Sequence, residues 1–100
     1  MLIVTGYMHV EPSELVRFEA ELQALIAVTR QRAGNLFYDA VVADPQAGRL
    51  LIAERWRDQA ALTAHLEAAE TAAFIERWQH RMRGDIRKYD ASNGRELMAD

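Results

Sequence analysis

The stretch Arg49-Leu50-Leu51-Ile52-Ala53-Glu54-Arg55-Trp56-Arg57-Asp58-Gln59-Ala60-Ala61-Leu62-Thr63-Ala64-His65 decides the fold. Its first half is aliphatic and leads into an indole, which predicts a strand over residues 49–56. Asp58 stands where a helix N-cap belongs, ahead of an Ala/Leu-rich segment. Alternate strand residues share a face, so Glu54 and Trp56 point the same way. His65 falls about two turns into the following helix. A carboxylate, an indole and an imidazole are therefore expected at one sheet–helix junction.

Upstream, residues 36–43 form a second strand, and Asp44-Pro45-Gln46-Ala47-Gly48 is a turn. Residues 36–56 thus read as a hairpin. Residues 2–10 alternate and are rich in Ile, Val, Thr and Tyr, a first strand. Gly6 in its middle implies a close approach, most simply by a helix side chain. Between them, Leu15, Phe18, Leu22, Leu25 and Thr29 recur at helical spacing. Pro12 and the candidate cap Ser13 start this helix, and Gly34 stops it. Downstream, helical sequence is expected from Asp58 to about Arg83, with a break near Leu66–Glu70 where the apolar stripe changes phase. Its second part is expected to bury Phe74, Ile75, Trp78 and Met82, and Gly84 ends it. Residues 85–90 are then a short, charged edge strand, and 91–100 a polar tail.

The order is β-α-β-β-α-β, a split βαβ in one domain, residues 1–100. The fold class is α+β, ferredoxin-like, with both helices on one sheet face. The other face is apolar as well: Leu51 and Ala53 oppose Leu50 and Ile52, and Val41 opposes Val42. Such a sheet requires a cover on both sides. The chain has no spare element, so a homodimer through the sheet face is expected.

Composition excludes several classes. Twelve basic and 15 acidic residues give a net charge of −3, no footprint for nucleic acid. No apolar run approaches membrane-spanning length, and the N-terminus lacks a secretory pattern. The absence of cysteine removes disulfide and thiolate chemistry and suits the cytoplasm. Glu76 and His80 lie four apart, but two ligands make no metal site. No Gly-rich phosphate loop or G-x-S-x-G occurs. Two residues are candidates to carry chemistry: His65, either a base near neutral pH or a boundary histidine hydrogen-bonded to a backbone carbonyl, and Glu54, which orients it, binds substrate or forms a structural ion pair with an arginine of the last helix. Beside them, Trp56 offers an aromatic wall, and Tyr38 a pocket hydroxyl.

The pattern Glu54-x-Trp56-x-x-x-x-Ala61-Leu62-x-x-His65, preceded by Gly34 and Tyr38, resembles the antibiotic-biosynthesis-monooxygenase family, quinol monooxygenases included. The similarity spans roughly residues 2–90. It implies a dimeric α+β barrel of ferredoxin-like subunits. It implies oxidation of a small phenolic, quinol or polyketide-like aromatic by O₂, with no metal or flavin. Under it, Trp56 is the wall and His65 the base, and Ile52 and Leu62 stand where polyketide-oxidising relatives carry an asparagine and a tyrosine. Gly6 and Phe74-Ile75 replace the asparagine and histidine of the haem-degrading branch, so haem is not expected. Two other functions fit the same pocket: a non-catalytic small-molecule binding or sensing module, and an isomerase or decarboxylase of a small ring compound.

Overall fold

A computed structural model describes all residues, 1–100. The elements run β1 (Leu2–Val10), α1 (Leu15–Thr29), β2 (Asn35–Asp44), β3 (Arg49–Trp56), α2 (Gln59–Glu67), α3 (Ala69–Trp78) and β4 (Met82–Asp90), with a 3₁₀ turn at Pro12–Glu14. One antiparallel sheet has the order β2-β3-β1-β4. This is the expected ferredoxin-like arrangement.

Burial follows the two periodicities. On β3, Leu50, Ile52, Glu54 and Trp56 are buried while Leu51 and Arg55 are exposed. On α1, Leu15, Phe18, Leu22, Leu25 and Thr29 are buried together with Ile26. The Thr29 hydroxyl donates to the Leu25 carbonyl at 2.7 Å, which satisfies a polar group inside the core. Phe18 meets Trp78 edge-on at 5.0 Å and Phe74 at 5.4 Å, joining α1 to α3 over the sheet.

The helix starts differ from expectation at one end only. Asp58 caps α2 as predicted, accepting from the Ala61 N–H at 2.9 Å. Ser13 caps nothing; it lies inside the 3₁₀ turn that Pro12 opens, and Glu14 precedes α1 without a side-chain cap.

The predicted break is real and lies at Ala68, whose extended backbone (φ −66°, ψ 146°) ends α2 and starts α3. The helix α3 stops at Trp78, not near Arg83. Residues 82–90 instead form a nine-residue ladder with β1, from Val10↔Met82 to Leu2↔Asp90. Long-range pairing thus overrides local helical preference at Met82 and Arg83. Met82 is half-buried on a strand, and Ile75 is exposed. Gly84 is not a helix stop; it faces Met8 across the ladder. Gly6 answers to the same strand. A Cβ there would collide with the Asp85 carbonyl oxygen, so the close neighbour is the β4 backbone and not a helix side chain.

The sheet face away from the helices is open. It presents Tyr7, Phe37, Val41, Leu51 and Tyr89 to solvent. Val41 and Leu51 sit directly opposite one another, and Leu51 also faces Tyr7. Arg49 lies over the Tyr7 ring at 4.9 Å and Arg55 over Phe37 at 4.8 Å.

Candidate functional site

Between the sheet and the helices lies a cavity of about 440 Å³, lined mainly by apolar side chains. Its floor follows from strand register. Tyr38 pairs with Glu54, Glu54 with Val4 and Val4 with Lys88, so these four residues form one row across all four strands. The next row holds Ile52, Gly6 and Ile86. Leu62 and His65 on α2, with Thr71 and Phe74 on α3, form the opposite wall. His65, Glu54, Tyr38, Leu62 and Ile52 all face this cavity. Trp56 does not line it. It lies behind His65, fully buried, with the two rings stacked at 4.9 Å. The expected aromatic wall for a ligand is instead a support for the imidazole.

Glu54 is only 8% exposed, yet no cation pairs with it. The ion pair considered from sequence, with an arginine of the last helix, does not form: Arg77 meets Glu21 and Arg81 meets Glu14. Oε1 of Glu54 accepts from the Trp56 indole N–H at 2.9 Å. Burial raises the Glu54 pKa above the ordinary carboxylate range, and the indole N–H pulls it partly back. Tyr38 is held neutral, first by burial and then by the nearby Glu54 charge. An ionised carboxylate in such a place is a stronger base than one in water.

His65 is packed on three sides. Trp56 stacks on it, Tyr38 meets it edge-on at 5.9 Å, and the Thr71 hydroxyl lies 3.3 Å from Nδ1. Thr71 is a group that the sequence reading missed. In an unbroken helix, residues six apart point about 120° away from each other. The bend at Ala68 brings them together, and the change in apolar phase was its only signal. Burial first, and the Arg32 guanidinium second, push the imidazole down to about 4. His65 is therefore a neutral hydrogen-bonding group at pH 7.

This shift has a consequence for stability. The folded value, about 4, lies below the ordinary 6.5, so between them the unfolded chain binds more protons. Stability due to His65 is present above about 6.5 and is lost as pH falls towards 4. Glu54 acts in the opposite sense, since its raised folded pKa favours the folded state as pH falls. Comparing the parent with His65→Phe isolates the histidine. The urea midpoint of the parent should fall relative to that of the variant across this window. A constant difference from pH 7 to pH 4 would contradict it.

A polar cleft of about 450 Å³ at the turn end of the sheet brings His9 and His80 together beside Arg81 and Arg83. Glu76 is not among its lining residues. Nowhere in the chain do three His, Cys, Asp or Glu side chains converge as metal ligands. No helix is long and apolar enough to cross a membrane.

A family model described as antibiotic biosynthesis monooxygenase matches residues 1–82. The "Putative monooxygenase YcnE" of Bacillus subtilis (strain 168) is 29% identical over 75 residues, 75% of this chain and 79% of YcnE. A crystal structure from Deinococcus radiodurans, described as a "putative antibiotic biosynthesis monooxygenase", superposes with a TM-score of 0.87 at 25% identity, covering 99% of this chain and all of the other. PA3566 from Pseudomonas aeruginosa superposes with a TM-score of 0.81 at 26% identity, covering 92% of this chain and 94% of PA3566.

Proposed function

Since the chain belongs to the antibiotic biosynthesis monooxygenase family, we propose that it oxidises a small phenolic or quinol aromatic with O₂ and without metal or flavin. The observation that carries this reading is Glu54: a buried carboxyl group with no cationic partner, facing an apolar cavity. Such a group is costly to bury, and it is suited to taking a proton from a phenol enclosed with it.

The proposed reaction needs no electron source beyond the substrate. Glu54 removes the phenol proton. The electron-rich anion passes one electron to O₂, and the two radicals join to form a carbon–oxygen bond at the ring. Loss of the ring C–H proton then breaks the O–O bond. One oxygen remains as a quinone carbonyl, and the other leaves as water with the two hydrogens. A naphthol and O₂ thus give a naphthoquinone and water. The role first assigned to His65 passes to Glu54 here, because a neutral imidazole with its pKa near 4 is the weaker base. With the imidazole proton on Nε2, Nδ1 accepts from the Thr71 hydroxyl 3.3 Å away, and Nε2–H is left to hold the phenolate oxygen. Tyr38, Leu62 and Ile52 shape the pocket, and Trp56 positions both Glu54 and His65. Oxygen uptake with a panel of naphthols and dihydroxynaphthalenes tests the reading. An isomerase using the same proton-moving groups would turn over without oxygen, and a binding module would not turn over at all.

The reading includes a second copy of the chain on the open sheet face. Val41 and Leu51, 50% and 39% exposed and paired across the hairpin, are its expected centre. Sedimentation at micromolar concentration should give a dimer for the parent and a monomer for either Val41→Asp or Leu51→Asp. A well-folded parent monomer under those conditions would contradict this.

A further inference from the structure

We propose that the cavity selects an aromatic substrate with an acidic substituent at the end opposite its reacting hydroxyl, and that Lys88 is the residue that selects it. The proposal rests on the function above for which ring reacts, but its binding component stands on geometry alone. Glu54, Val4 and Lys88 are register partners on neighbouring strands and point to the helix-covered side. Adjacent strands lie about 4.8 Å apart, which sets the Glu54 and Lys88 backbones about 10 Å apart. Val4 is the apolar floor between them. A one- or two-ring compound laid over Val4 spans that distance.

The Lys88 ammonium is held in place without being neutralised. It donates to Oε1 of Gln59 at 2.7 Å, and Nε2 of Gln59 donates to the Thr63 hydroxyl at 3.0 Å. No carboxylate lies within salt-bridge distance of it. A lysine on an edge strand ordinarily serves to discourage further pairing. That role requires neither a tether to α2 nor a place on the cavity rim. The Arg87 side chain, its neighbour on the rim, approaches Asp85 at 3.8 Å. The two ends of the floor therefore carry opposite charge preferences. An acidic group is repelled by Glu54 and attracted by Lys88, so the substrate enters in one orientation, with its hydroxyl towards Glu54.

The test uses 6-hydroxy-2-naphthoate and 2-naphthol, which share the ring and hydroxyl and differ by the carboxylate. Titration calorimetry on the intact parent should show the acid bound at least about tenfold more tightly, the scale of one charge-assisted hydrogen bond. Lys88→Gln should remove most of that preference and Lys88→Arg should keep it. Lys88 is the only lysine in the chain. Its acylation, followed by mass spectrometry, should slow when the acid is bound, with the N-terminal amine as internal reference. Equal affinity for the two compounds, or an unchanged preference in Lys88→Gln, would overturn the proposal. Oxygen uptake on the same samples separates the two ideas. Discrimination without uptake leaves the Lys88 site standing and removes the oxidation. Uptake without discrimination does the reverse.

Discussion

Glu54→Gln is expected to lower oxidation of a phenolic substrate by about 10²–10⁴-fold, the range for loss of a general base. The amide keeps the shape of the side chain, and its oxygen still accepts from the Trp56 indole N–H, now 2.9 Å from Oε1. The variant should also be at least as stable as the parent at pH 7. With the folded pKa of Glu54 raised, the stability it contributes at low pH is lost as pH rises through that value. The amide never ionises and escapes that loss. A large fall in rate with no fall in stability is a signature that a merely structural residue does not give. Retention of parental turnover by Glu54→Gln would take the base away from this position. His65→Phe, which keeps a ring on Trp56, should have a smaller effect on rate, since it removes a hydrogen bond to the anion and not the base.

Trp56→Ala is expected to cost about 3–5 kcal/mol, the range for emptying an aromatic side chain from a core. Trp56 is fully buried, stacks on His65 at 4.9 Å and supplies the only hydrogen bond to the Glu54 carboxyl. That cost is a large share of the ~5–15 kcal/mol that holds a small domain together. Trp56→Phe keeps most of the packing and removes the N–H. The carboxylate oxygen is then unsatisfied, at a cost of about 1–3 kcal/mol. Because that N–H holds the Glu54 pKa down, its loss should move the acidic limb of the rate profile to higher pH. A substrate-wall role would instead raise KM with little change in the pH profile. Urea denaturation and a pH–rate profile on Trp56→Phe separate the two. Full stability with an unmoved profile would contradict the positioning role.

Much of this site was legible in the residues. A period of two put Glu54 and Trp56 on one face of β3, and the Asp58 cap fixed where α2 begins, hence where His65 falls. The apolar residues on both sides of β2 and β3 marked an open sheet face. Other features depend on long-range geometry. The start of β4 was hidden because Met82 and Arg83 suit a helix locally, and only pairing with β1 makes them a strand. Thr71 was hidden by the bend at Ala68, which contains neither proline nor glycine. The row through Tyr38, Glu54, Val4 and Lys88 needs strand register, which alternation alone leaves open. The division of labour proposed for Glu54 and His65 needs burial. Both titrate in a useful range in water, and enclosure moves one up and the other down.

The most direct test supplies ¹⁸O₂ to the purified parent with the hydroxynaphthalene that supports the fastest oxygen uptake. One labelled oxygen should appear in each quinone formed and one in water, with one O₂ consumed per product. No oxygen consumption with any member of the panel, or a product that carries no label, would contradict oxidation by this cavity.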